Sequence, residues 1–173
     1  TITLSHASSI LQPDTSAPRT IIFASTGTDP VGSGSATAPG ADATSHGFFV
    51  AKGFLNMTGT ATSRVTITTQ DDASPWYAHH SWGDSGAFAA ANVQFQYCDM
   101  SHLGTGTTGF RGIEWDQRTG QTVHTVDNCT VDDFEWLIYS VRQLATLTTT
   151  VTNNTLSGNK QDVIRPESVS APM

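Results

Sequence analysis

One short phrase recurs three times in this chain, and the recurrence limits the available folds more than any single residue does. Val126-Asp-Asn-Cys129-Thr-Val131 lines up with Phe95-Gln-Tyr-Cys98-Asp-Met100, 31 residues earlier, and with Val151-Thr-Asn-Asn154-Thr-Leu156, 25 residues later. Each copy reads apolar, two mostly polar, Cys or Asn, any residue, apolar. A second echo follows each copy: Phe110-Arg-Gly-Ile-Glu-Trp-Asp, Phe134-Glu-Trp-Leu-Ile-Tyr-Ser and Lys160-Gln-Asp-Val-Ile-Arg-Pro, at spacings of 24 and 26. A period of roughly 20 to 30 residues, carrying short strands and no sustained helical pattern, predicts a solenoid. The expected fold is therefore all-β, a single-stranded parallel β-helix of about five rungs.

Stacking turns the repeated positions into columns, because each strand pairs with the one above it at about 4.8 Å. Phe95, Val126 and Val151 form one expected inward column, and Met100, Val131 and Leu156 a second. Cys98, Cys129 and Asn154 then share a structural column at a turn. Asn in that place can donate and accept along the stack, serving backbone groups that the bend strips of partners. Cys would fill a tight apolar slot, and two Cys one rung apart lie within the Cα window of a disulfide. A bonded pair and a buried pair of thiols both stay open. Neither is catalytic, since no base stands beside them in sequence and burial raises a thiol pKa.

The remaining chain divides by pattern. Residues 1–24 hold N-terminal strands, with 1–11 and Thr20–Ala24 alternating and Pro13 and Pro18 marking a turn. Residues 25–46 run through Gly, Ser, Ala, Thr, Pro and Asp as a long exposed loop. Residues 47–165 are the stacked rungs of a single domain spanning 1–173, and 166–173 form a tail. Ser74–Ala87 reads as an irregular bulge. Phe134, Leu137, Ile138 and Val141 also fit a helical wheel, but the repeat outweighs that local pattern. The chain opens at Thr1 without a signal-peptide pattern, which suits a mature chain or a piece of something larger.

Within the rungs, Gly53-Phe-Leu-Asn-Met-Thr-Gly-Thr-Ala-Thr-Ser-Arg-Val-Thr-Ile-Thr-Thr leads through an acidic turn to Trp76. This segment resembles a recurrent opening of right-handed parallel β-helix proteins, the pectate-lyase-like superfamily. The resemblance is best over residues 47–101 and extends through the echoes to about residue 165. It implies a right-handed coil and does not choose among the many activities that share the architecture.

Candidate chemistry is sparse. Glu114 and Asp116 alternate around Trp115 and could present two carboxylates on one strand face, as glycosidases require; solvated face charges that keep a sheet soluble are the stronger reading. Gln70-Asp71-Asp72 echoes the acid pair of polygalacturonases, but the companion motifs Asn-Thr-Asp, Gly-His-Gly and Arg-Ile-Lys are absent, so it reads as a turn. Trp76, Tyr77 and Trp82, with His79 and His80, are candidate ligand contacts because exposed aromatic faces stack on sugars and anchor interfaces. The plainer alternative is that they cap the end of a rung. Adjacent His residues point to opposite sides of an extended chain, so no metal site is expected there. No cofactor is implied. Asn56-Met-Thr, Asn128-Cys-Thr and Asn153-Asn-Thr match the glycosylation pattern.

Composition removes whole classes of partner. Eight basic residues stand against fifteen acids, a net charge of −7, so no basic stripe exists for nucleic acid. No apolar run reaches the ~18 residues that a membrane span needs. The reading that remains is a non-catalytic β-helix protein, extracellular or on a cell or particle surface, structural or adhesive, self-associating into a fibre or continuing a longer chain. The competing reading is a carbohydrate-active domain, an enzyme fragment or a module that binds polysaccharide.

Overall fold

The structure, a computed structural model, describes residues 2–4, 10–23, 46–50, 53–69, 76–80, 91–104, 112–116, 123–142 and 148–166. Residues 25–45 of the loop expected at 25–46, Gln70-Asp71-Asp72, Trp82 and the tail beyond Pro166 lie outside them, whereas His46, expected in that loop, opens a strand. Sixteen strands and no helix occur among the described residues. The first six are β1 Ile2–Leu4, β2 Ile10–Leu11, β3 Arg19–Phe23, β4 His46–Val50, β5 Gly53–Thr58 and β6 Val65–Thr69. There follow β7 Trp76–His80, β8 Ala91–Gln96, β9 Cys98–Leu103, β10 Ile113–Asp116 and β11 Val123–Asp127. The last five are β12 Thr130–Phe134, β13 Ile138–Arg142, β14 Thr148–Thr152, β15 Thr155–Asn159 and β16 Ile164–Pro166.

Pairing is parallel throughout, and each strand bonds the strand three further along the chain. One five-stranded sheet runs β2-β5-β8-β11-β14. The other has eleven strands in two runs, β3-β6-β9-β12-β15 and β1-β4-β7-β10-β13-β16. The Trp76–Leu103 pairing between β7 and β9 joins these two runs.

The core follows from strand alternation. In β6, buried Val65, Ile67 and Thr69 alternate with half-buried Thr66 and Thr68. Register carries that alternation from strand to strand. Met57, Phe95, Val126 and Val151 stand in one column, and Ile21, Ile67, Met100, Val131 and Leu156 in another. The echo Phe95–Val126–Val151 and its partner Met100–Val131–Leu156 thus stack as their spacing requires. Each fully buried side chain in these columns contributes about 1.5–3 kcal/mol. Three aromatic rings fill the middle: Phe48 meets Trp76 edge-on at 6.0 Å, and Trp76 lies 6.2 Å from Phe95.

Single left-handed residues make the bends. Tyr97, Asn128 and Asn153 have φ of 51°, 53° and 56°, and each begins a connection of one or two residues between strands that lie in different sheets. One residue in this conformation redirects the chain where a longer loop would break the ladder. Asn tolerates it because its short side chain bonds locally. A second left-handed column, His102, Asp133 and Gly158, lies within β9, β12 and β15 at the same spacing.

Three expectations need correction. Residues 1–11 are not one strand: β1 pairs with β4 and β2 with β5, in different sheets. Trp76–His80 is no irregular bulge but β7, held between β4 and β10. The second echo slips by one residue: Ile113 pairs with Ile138, where a spacing of 24 would have matched it to Leu137. Gly112 immediately precedes this ladder. It is left-handed at φ 100° and packed against the Trp136 carbonyl, so the chain turns there before the ladder begins.

Candidate functional site

The richest polar surface among the described residues is the outward side of β6, β9, β12 and β15. Alternation places Thr66, Asp99, Thr130 and Thr155 in one column and Thr68, Ser101, Asp132 and Ser157 in the next. These groups bond one another along the stacking direction. Thr68 Oγ1 and Ser101 Oγ are 2.7 Å apart, and Ser157 Oγ donates to Asp132 Oδ1 at 2.7 Å.

Two charged clusters flank this surface. On the side of the Tyr97–Asn128 bend, Arg64 Nε donates to Asp99 Oδ1 at 2.8 Å, while Nη2 donates to the carbonyls of Cys98 at 2.9 Å and Asn128 at 3.1 Å. One guanidinium thereby ties two successive bends together. At the other bend, Asp133 lies between His102 Nδ1 at 2.8 Å and Lys160 Nζ at 2.6 Å. The Lys160 ammonium, helped by His102, holds the Asp133 carboxyl below the usual carboxylate range. Asp127 is lowered in the same sense, first by the Thr152 hydroxyl and then by the amides of Asn128 and Asn153.

Inside the first bend lie the Cys and Asn positions of the repeat. Cys129 N–H donates to Asn154 Oδ1 at 2.9 Å, and Asn154 Nδ2 donates to the Val126 carbonyl at 2.9 Å. Asn154 thus serves both a donor and an acceptor exposed by the turn. Cys98 and Cys129 are buried free thiols. The neighbouring Cys129 thiol and burial push the Cys98 thiol well above its ordinary value.

The sequence-selected residues fall elsewhere. Trp76 is fully buried, its Nε1 donating to the Ser101 carbonyl at 2.8 Å, so it offers no ring face to a ligand. The large ring fills the space between the two runs of the eleven-stranded sheet, which is why the exposure expected of it is wrong. Tyr77, His79 and His80 lie on β7, and Glu114 and Asp116 on β10. Glu114 pairs with His79 and with Tyr139, and the ladder to β13 is irregular between Trp115 and Asp116. Among the described residues, no group of three His, Cys, Asp or Glu is arranged to hold a metal ion.

Sequence reasoning overlooked Arg64, His102, Asp133 and Lys160. The signal for two of them was present, since His102 and Asp133 obey the 31-residue spacing of Cys98 and Cys129. Arg64 had no such marker, because the connection from β5 to β6 is five residues longer than that from β8 to β9.

Chemically, this surface holds strands together. The Asp133 and Asp127 carboxyls are held below the usual carboxylate range, the opposite of what a general acid needs, and their oxygens are engaged by neighbouring groups. Comparison with protein-family models, curated proteins and solved structures returns no match for this chain.

Proposed function

We propose that this chain is a right-handed parallel β-helix with a structural, adhesive role outside the cell or on a particle surface, and that it associates with copies of itself. The three-strand periodicity of the parallel pairing supports the coil, and right-handed crossovers are the rule for parallel strands. The observation that carries the functional reading is the state of the last strands. Apolar columns that are sealed at Phe95, Val126, Met100 and Val131 end in Val151 and Leu156, which are only partly buried. Val163 is likewise partly buried, and Ile164 beside it is 51% exposed. Among the described residues, β14, β15 and β16 each pair with a single strand. An open parallel edge over an unsealed core favours a further strand layer.

The test is the assembly state of the full chain, by analytical ultracentrifugation and negative-stain microscopy, beside Val163→Asp with Ile164→Asp. Wild-type chains should associate with concentration, and the variant should stay monomeric with an unchanged far-UV spectrum. Wild-type monomers at every concentration, or a variant that assembles equally well, would remove the proposal. A carbohydrate-active domain is the second reading. The pairing of Glu114 with His79, and of Asp116 with Arg142, favours it by bringing acids and bases to neighbouring positions. It requires monomers that bind and cleave a glycan, with cleavage lost in Glu114→Gln or Asp116→Asn.

A further inference from the structure

We propose that Cys98 and Cys129 are a redox pair that closes into a disulfide joining two successive layers of the stack. They are the chain's two cysteines, so only one intramolecular bond can form. Each stands just before a paired position, Asp99 opposite Thr130. The Cα atoms of such neighbours are about 4.8 Å apart, inside the ~4.4–6.8 Å window of a disulfide.

The side-chain directions show which sulfur must move. Cys129 Sγ donates to the Phe95 carbonyl at 3.4 Å and so leans toward the layer that holds Cys98. Cys98 Sγ donates in the same sense to the Met57 carbonyl at 3.1 Å, one layer further down. A χ1 rotation of Cys98 releases Met57 and swings its sulfur toward Cys129, while the backbone stays in place. Arg64 holds the Cys98 and Asn128 carbonyls, and Asn154 holds the Cys129 N–H, so the two Cα atoms stay fixed through the rotation.

The oxidant is a small dialkyl disulfide of the glutathione class. One protein thiolate attacks it, breaking its S–S bond, expelling one small thiol and leaving a mixed disulfide. The second protein thiolate attacks the protein sulfur of that mixed disulfide and expels the second small thiol. The protein pair loses two electrons and two protons, and the two small thiols carry them away. Both sulfurs are buried, so the exchange runs fastest as the chain refolds around them.

The experiment refolds the full chain from guanidinium in a buffer of reduced and oxidised glutathione, then alkylates and weighs it without reductant. The expected product is a monomer lighter by two hydrogens with no alkylatable thiol. Its equilibrium constant against glutathione should be at least about 100-fold larger under native conditions than in guanidinium, the size expected for a loop of this length held at bonding distance. Cys98→Ser, which conserves volume, should fold and yield only a mixed disulfide or a free thiol. Two alkylatable thiols in the refolded protein, equal constants folded and unfolded, or a product that is mainly a cross-linked dimer would each overturn the proposal. None of these outcomes depends on whether copies of the chain assemble.

Discussion

Arg64→Ala isolates the tie between successive bends. The wild-type guanidinium makes an ion pair with Asp99 and hydrogen bonds to two main-chain carbonyls. The Arg64 side chain is 28% exposed and that of Asp99 is 42% exposed, so water screens the ion pair and it contributes only about 0.5 kcal/mol. The Cys98 and Asn128 carbonyls each lose a charged donor, at about 1 kcal/mol apiece. The bond to Thr130 Oγ1 is long, at 3.3 Å, and exposed, and adds little. The total is roughly 2–3 kcal/mol with the lost packing of the side-chain stem, which lowers Tm by about 5–10 °C in a chain of this size. Guanidinium unfolding followed by far-UV circular dichroism measures it. Asp99→Asn should cost about 0.5 kcal/mol, and Arg64→Lys should retain about half of the effect, because one ammonium cannot span both carbonyls. An Arg64→Ala loss below about 0.5 kcal/mol, or an Asp99→Asn loss as large as that of Arg64→Ala, would refute the claim that the carbonyls carry the energy.

Two other perturbations follow from single positions. Gly112→Ala must place a methyl against the Trp136 carbonyl at a φ of 100°, so it should cost about 3 kcal/mol or more and appear as loss of hydrogen-exchange protection in β10 and β13 first. Asp133 has a carboxyl pKa below its unfolded value, chiefly through Lys160, so its contribution is present above about pH 4 and is lost as pH falls through the folded value. The stability gap between wild type and Asp133→Asn, about 1 kcal/mol at neutral pH, should therefore close between roughly pH 5 and pH 2; a gap that widens on acidification would contradict the ion pair.

The all-β character and the columns of the first echo were legible in the sequence because an inter-strand register is a numerical property of spacing. A residue at 98 and one at 129 stack only if the chain between them returns to the same place, and apolar identity at 95, 126 and 151 reports that return. The second echo misled by one residue for a local reason: apolar residues stand at both 137 and 138, and only the register shows that Ile138 is the partner of Ile113. Trp76 misled for a different one. Sequence placed it in a stretch rich in Ser, Gly and His, whereas β4 and β9, distant in sequence, close over it.

What the sequence determined alone is the repeat: which positions are apolar, which bend positions hold Cys or Asn, and the 31- and 25-residue spacing that stacks them. Only the tertiary structure decided that Arg64 would reach two bends of later layers, that Asp133 would stand between His102 and Lys160, and that Trp76 would be sealed inside. The physical reason is separation. Register can be counted along the chain, but Arg64 and Asn128 are 64 residues apart, and only the stacking of intervening layers makes them neighbours.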